Sequence, residues 1–204
     1  MRCRSIATSH TRPWKPAISA CAASWALMGL AGCGSPATPS QNAAALVTQG
    51  LQAQLSGDLA TASRDYLQAI RDDPYNAVAH YDLGTIDDRQ GDTAQAVAQY
   101  TSTLEILPSF TDALFNLAVD SASANPGRAE VLYRQVVSLQ PTFAAAWLNL
   151  GFVLQREGSV GEAEADWARA VSLDRTLEAR LPSPMPSTAA AQAASTSPPA
   201  SPRP

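Results

Sequence analysis

The chain has 204 residues, with 14 Lys and Arg against 18 Asp and Glu, two His and three Cys, for a net charge of −4. Nucleic acids and anionic surfaces are bound through basic patches, and no stretch supplies one, which excludes nucleic acid as a partner. Cys3, Cys21 and Cys33 all lie near the N-terminus, and His10 and His80 are far apart in sequence, which leaves little for thiol or transition-metal chemistry.

Residues 1–16 carry Arg2, Arg4, Arg12 and Lys15 and no acid, and residues 17–32 (AISACAASWALMGLAG) carry no charge. A basic segment, an apolar segment and then small residues form the pattern of a secretory signal peptide. The apolar run is shorter than the roughly 18–20 residues of a membrane-spanning helix, and it thins into Gly29, Ala31 and Gly32. A cleaved signal is therefore favoured over a retained anchor. Leu30-Ala31-Gly32-Cys33 resembles the lipobox of bacterial lipoproteins. The resemblance implies that residues 1–32 are removed, that Cys33 is lipidated, and that the chain is tethered to the outer face of a bacterial membrane. A chance cysteine in an Ala/Gly-rich segment is the alternative. Two acyl chains anchor stably where one binds marginally. The remaining chain has 18 acids, ten arginines and no lysine, a net charge of −8, and no thiol free for a disulfide, nucleophile or metal site.

Residues 33–42 form a Pro/Ser spacer in which Ser40 is a candidate helix cap. A repeat follows. AVAHYDLGTIDDRQGDTAQAVAQYTSTLEILP (77–108) aligns with AAAWLNLGFVLQREGSVGEAEADWARAVSLDR (144–175). The two share Leu-Gly at positions seven and eight (Leu83-Gly84, Leu150-Gly151), Gly at fifteen (Gly91, Gly158), Ala at twenty (Ala96, Ala163) and an aromatic at twenty-four (Tyr100, Trp167). Gly50, Gly57, Ala62, Tyr66, Ala69 and Pro74 place 43–76 in the same frame. Leu114, Leu117, Ala118, Ala129, Tyr133 and Pro141 do so for 111–143, one residue short at its inner turn.

This pattern resembles the tetratricopeptide repeat (TPR), a helix–turn–helix unit of about 34 residues. It implies an all-α fold, a right-handed superhelical solenoid of about eight helices, with repeats at 43–76, 77–110, 111–143 and 144–181. The residues themselves supply the physics. Small side chains at positions eight and twenty let helices A and B of a repeat approach closely, and the aromatic fills the space around them. Gly57, Gly91 and Gly158 suit a left-handed turn after helix A. Asp58, Asp92 and Ser159 can start helix B, and Pro74, Pro108 and Pro141 close it.

Repeat 3 departs from the pattern with Ala118 in place of Gly and a SANPGRAE turn, where Pro126 suits a helix start. Repeat 4 has Arg175 in place of proline, so its last helix is expected to run on through Leu177 to about Leu181, as a cap or as a contact surface. Residues 182–204 are Pro, Ala, Ser and Thr with a single arginine, too poor in large apolar groups to offset the entropy of ordering. They are expected to form a disordered tail, with O-glycosylation as a further possibility.

No catalytic constellation is present, so the chain is expected not to be an enzyme and to need no cofactor, metal or small-molecule substrate. His80 is expected to be a half-buried structural residue. Asp87 and Asp88 lack the ligand spacing of a calcium loop and are expected on solvated helix faces. Function then falls to surface. The resemblance implies a protein or peptide partner in the concave groove of the A helices. The matching positions are Tyr81, Asp82, Thr85 and Asp88 from repeat 2; Asp112, Phe115, Asn116 and Val119 from repeat 3; and Leu148, Asn149, Phe152, Gln155 and Arg156 from repeat 4. Asn116 and Asn149 share one repeat position and suit a grip on peptide backbone. Tyr81, Phe115 and Phe152 are either binding anchors or packing between neighbouring A helices. A lysine-rich carboxylate clamp is absent. The resulting expectation is a membrane-anchored extracytoplasmic adaptor for a cell-envelope assembly, with a wall-associated spacer and an accessory subunit of a membrane enzyme as alternatives.

Overall fold

The computed structural model describes residues 38–182. The expected signal peptide, the lipobox-like stretch with Cys33 and residues 183–204 of the expected tail lie outside the described residues. Eight α-helices follow one another: α1 (Pro39–Leu55), α2 (Leu59–Asp72), α3 (Ala77–Gln90), α4 (Thr93–Ile106), α5 (Thr111–Ser121), α6 (Pro126–Leu139), α7 (Ala144–Arg156) and α8 (Val160–Leu173). A 3-10 helix, Arg175–Arg180, completes the order, and the described residues contain no strand. Each helix packs on its neighbours in sequence, so four antiparallel pairs stack into a solenoid, as the resemblance implies.

Local chemistry sets the helix boundaries. Thr38 and Gln41 form a reciprocal capping box with Pro39 in the first turn, which satisfies two otherwise orphaned N–H groups. The first helix therefore begins ahead of position 43, and Ser40 lies inside it rather than capping it. Asp58, Asn76 and Asn125 accept from the backbone N–H of Thr61, Ala79 and Arg128. Gly57, Gly91 and Gly158 each adopt φ of 85°, a left-handed conformation that costs other residues about 1–2 kcal/mol.

The end of α8 corrects the expectation for repeat 4. The helix stops at Leu173, in register with the proline-terminated helices. Asp174 takes an extended backbone and its carboxylate accepts from the Thr176 N–H (2.9 Å) and hydroxyl (2.7 Å). That side-chain turn diverts the chain into the 3-10 helix, and Leu177 and Leu181 pack back against the core. An aspartate turn does here what proline does in the other repeats.

One core cluster runs from Ala96 on α4 to Ala170 on α8, while two smaller clusters join the first repeat to α3. Helix α1 fully buries just Ala43 and Gly50 and leaves Leu55 80% exposed. The twenty-fourth position is fully enclosed in every repeat, by Tyr66, Tyr100, Tyr133 and Trp167. A Cβ on Gly50 would lie 2.7 Å from Tyr66, and one on Gly84 2.8 Å from Tyr100. Glycine lets each ring lie directly on helix A, where a methyl group would make the ring or the helix shift.

Position four has a recurring use as well. His80 Nε2 lies 3.2 Å from the Pro74 carbonyl, and Trp147 Nε1 donates to the Pro141 carbonyl at 2.9 Å. His80 also meets Gln99 at 2.8 Å, which makes it the half-buried structural residue expected. Trp147 is only partly buried. Asp87 corrects another expectation: it is 8% exposed, because position eleven lies on the buried side of helix A, as Ser121 and Leu154 do in repeats 3 and 4.

Candidate partner-binding groove

The predicted groove residues lie on α3, α5 and α7, the A helices of repeats 2 to 4. Their aromatic members are spoken for by packing. Tyr81 packs at a tilt against Phe110 with ring centroids 4.8 Å apart and lies 6.0 Å from Tyr100. Phe115 stacks on Phe143 at 4.8 Å and meets Tyr133 edge-on at 5.8 Å. Phe152 lies 5.3 Å from Trp167. Phe110 and Phe143 stand immediately before α5 and α7, so each pair ties one A helix to the start of the next. All three predicted rings are half-buried and keep an edge in solvent.

Leu148, placed in the groove by the resemblance, is fully buried and offers nothing to a partner. Its position in the frame is that of Tyr81 and Phe115. It belongs to the same cluster as Leu177 and Leu181, which pack there from the 3-10 segment following the repeat.

Between successive A helices runs a line of tyrosine hydroxyls. Tyr66 donates to Gln54 at 2.9 Å, and Asp82 lies beside the same hydroxyl. Tyr100 donates to Asp88 Oδ2 at 2.6 Å and accepts from Asn116 Nδ2 at 3.3 Å. Tyr133 accepts from Asn149 Nδ2, also at 3.3 Å. Asp82, Asn116 and Asn149 occupy one repeat position, so each meets the tyrosine from helix B of the preceding repeat. The two asparagines spend one amide donor inward, which fixes their orientation and leaves the rest of the amide for other bonds. Thr85 donates to its own helix at Asp82 O and accepts from Gln54.

At the repeat 3–4 junction, Val119, Asn149, Phe152 and Arg156 converge with Ala122 and Tyr133 on a concavity of about 230 Å³. Val119 is 45% exposed, and Arg156 Nη1 donates to the Ala122 carbonyl at 2.6 Å. That carbonyl is open because α5 ends early, at Ser121. Asp112 is exposed and Gln155 half-buried. A larger apolar trough of about 550 Å³ runs along α6 past Pro108, Val131 and Leu139. It contains none of the predicted residues.

Sequence reasoning passed over Tyr66, Tyr100 and Tyr133 as core filler, and it missed Gln54 and Asp120. The hydroxyl was the available signal, since a buried tyrosine O–H finds a partner and Phe would have filled the core without one. Asp120 occupies position ten, where repeats 2 and 4 bury Ile86 and Val153. Its Oδ2 is shut off from solvent and accepts no hydrogen bond among the described residues.

Burial raises the Asp82 and Asp120 carboxyls to about 6, with Asp88 adding repulsion at Asp120. Burial also raises the Tyr133 hydroxyl to about 12. A folded-state carboxyl raised above its usual 3.8 destabilises the fold above about pH 6, and the penalty is relieved as pH falls from there toward 3.8. The melting temperature should therefore rise between about pH 7.5 and about pH 5. Asp120→Asn should be more stable than the parent at the higher pH, with the gap closing at the lower one. A gap independent of pH in calorimetry would show that Asp120 bears no such penalty. Among the described residues, no group of three His, Cys, Asp or Glu is arranged to hold a metal ion, and no helix is long and apolar enough to cross a membrane.

The fold is that of the tetratricopeptide-repeat solenoids. The crystal structure of MamA matches with a TM-score of 0.61 at 20% identity, over 69% of this chain and 82% of that one. YrrB, described as a TPR protein with an unusual peptide-binding site, matches at 0.60 and 20% identity, over 64% and 68%. The first TPR of Spaghetti (RPAP3), bound to the HSP90 peptide SRMEEVD, matches at 0.54 and 23% identity, over 58% and 98%. In sequence, the chain is similar to the photosystem I assembly protein Ycf3 of Cyanophora paradoxa, 33% identical over 82 residues. That match covers 39% of this chain and about half, 47%, of the assembly protein. No protein-family profile matches the sequence.

Proposed function

We propose that this chain is a non-catalytic protein-binding scaffold that takes a peptide segment of a partner along the A-helix groove. The observation that carries the reading is the pair of Asn116 and Asn149. Each is pinned by a tyrosine hydroxyl at the same distance in successive repeats, so their remaining amide groups form a pre-oriented row for peptide backbone. Preorganised donors and acceptors lose little entropy when a ligand arrives. Likeness to TPR structures described by their peptide sites, and to an assembly protein, supports the same reading.

The compartment belongs to the proposal. The lipobox-like Leu30-Ala31-Gly32-Cys33 after a basic and then apolar stretch supports a scaffold held outside the cytoplasm, tethered by lipid on Cys33 to a bacterial membrane. Its task there is assembly of a cell-envelope complex. Photo-crosslinkers at the exposed positions Asp112, Val119 and Arg156 should join one dominant protein in cells, and Asn116→Ala with Asn149→Ala should abolish that product. Cys33→Ala should move the chain from the membrane to the soluble fraction. Diffuse crosslinking unaffected by the asparagine changes would sink the groove reading, and membrane retention of Cys33→Ala would sink the anchor.

A further inference from the structure

We infer that the concavity at the repeat 3–4 junction is a subsite for a single side chain of the partner segment, and that it selects the carboxamide of a glutamine. This rests on the groove reading above and adds the side chain that the groove recognises.

The concavity has a volume of about 230 Å³. That is below the roughly 300–1,000 Å³ of sites that enclose a small molecule, so it suits one side chain rather than a free ligand. Val119 and Ala122 line it from the C-terminal end of α5, and Phe152 lines it from α7. These walls fit an apolar stem. Val119 is 45% exposed, which leaves the concavity open to solvent.

Its polar lining offers unspent donors. Tyr133 lines the concavity although it is only 1% exposed. Its hydroxyl oxygen accepts from Nδ2 of Asn149, another residue of the lining, which puts the hydroxyl end of the ring at the concavity. Tyr66 and Tyr100 spend their hydroxyl protons on Gln54 and Asp88. Among the described residues, the Tyr133 hydroxyl donates to nothing. A buried tyrosine O–H ordinarily finds a partner, so this proton is available to an occupant. Arg156 spends one N–H on the Ala122 carbonyl and joins none of the ion pairs among the described residues. Most of its guanidinium donors are therefore unspent as well.

An occupant must bring an acceptor on an apolar stem. Asn149 adds the opposite polarity, because turning Nδ2 to Tyr133 leaves Oδ1 to accept. A carboxamide both accepts and donates. Its oxygen can take the Tyr133 and Arg156 protons while its NH₂ meets Asn149 Oδ1. A carboxylate only accepts and would set an oxygen against Oδ1. Asp120, whose charge acts on the Tyr133 hydroxyl, further disfavours an anion there. A leucine would fill the walls and leave the Tyr133 proton unpaired.

The test is fluorescence anisotropy on the full chain at neutral pH with three labelled peptides of alternating Ser and Ala, whose central residue is Gln, Glu or Leu. The Gln peptide should bind at least about tenfold tighter than the others, since a site built to hydrogen-bond a group rejects analogues that cannot match it. Tyr133→Phe should cut that preference to less than about twofold. Tyr100→Phe removes a hydroxyl whose proton is already spent on Asp88, so it should keep the preference whatever it does to overall affinity. Both variants retain the ring, and their melting curves check that they fold. Should one unfold, the comparison of the three peptides on the parent chain still decides. A preference for the Glu or Leu peptide overturns the inference, as does a Gln preference that survives Tyr133→Phe or is lost equally in both variants. If all three peptides bind alike and are lost on Asn116→Ala with Asn149→Ala, the groove reading stands and the carboxamide inference falls. If no peptide binds, both fall.

Discussion

Trp167→Ala should cost about 3–5 kcal/mol of stability, the range for emptying a large aromatic site in a core. Trp167 is fully buried, its ring lies on Gly151 and beside Phe152, and its indole N–H donates to the Leu148 carbonyl at 3.2 Å. Removing it leaves α7 and α8 without the side chain that spans them. In a solenoid, stability is close to a sum of repeat and interface contributions, so the loss should concentrate in the last repeat. Hydrogen exchange should show α7 and α8 losing protection while α3 and α4 keep theirs. Trp147, on α7 of the same repeat, sits differently. Trp147 is partly exposed and holds the Pro141 carbonyl from the surface, so Trp147→Ala should cost clearly less. Equal losses in urea unfolding would show that Trp147 carries as much of the packing as Trp167.

The repeat frame was legible because it is written in size. A glycine under an aromatic and an alanine at the opposite contact are exclusions of volume, and volume shows in residue type alone. The same holds for Gly57, Gly91 and Gly158, whose backbone conformation few other residues accept. Less of the groove was legible, for three physical reasons. Leu148 has the frame position of a groove residue but is buried in the cluster that the 3-10 segment joins, and the sequence pointed to a continuing α-helix there. Tyr81, Phe115 and Phe152 show how exposed a ring is only once Phe110, Phe143 and Trp167 are in place. Asp87 and Asp120 were open to the frame itself, since position eleven is Ala53, Ser121 or Leu154 in the other repeats and position ten is Ile86 and Val153 in the two repeats flanking the third. A charge there was the anomaly to notice. Polar side chains advertise solubility in a sequence, and only the periodic frame says which of them the fold has turned inward.

Gly151→Ala should destabilise by about 1–3 kcal/mol through overpacking, with no change in helical content. The added Cβ would collide with Trp167 Nε1, stand 2.5 Å from its Cδ1, and press 3.0 Å from the Ala163 carbonyl on α8. The ring has no easy escape, because its N–H is bonded to Leu148 O on the same helix as the glycine. The alternative is separation of α7 from α8, which loosens the contact at Ala163, itself fully buried. Intrinsic propensity works the other way, since alanine favours a helix over glycine by about 1 kcal/mol, so a net loss isolates the steric effect. Repeat 3 supplies the internal control. It carries Ala118 at the same frame position against Tyr133, with both enclosed, so the fold tolerates a methyl group there when the facing ring is a tyrosine. Trp167→Tyr should therefore rescue Gly151→Ala in part, and a double-mutant cycle by thermal melting would measure the coupling. Additive losses would mean that the indole is not what excludes the methyl group. Recovery in the double variant would establish that the size of the Trp167 ring is what excludes a methyl group at Gly151.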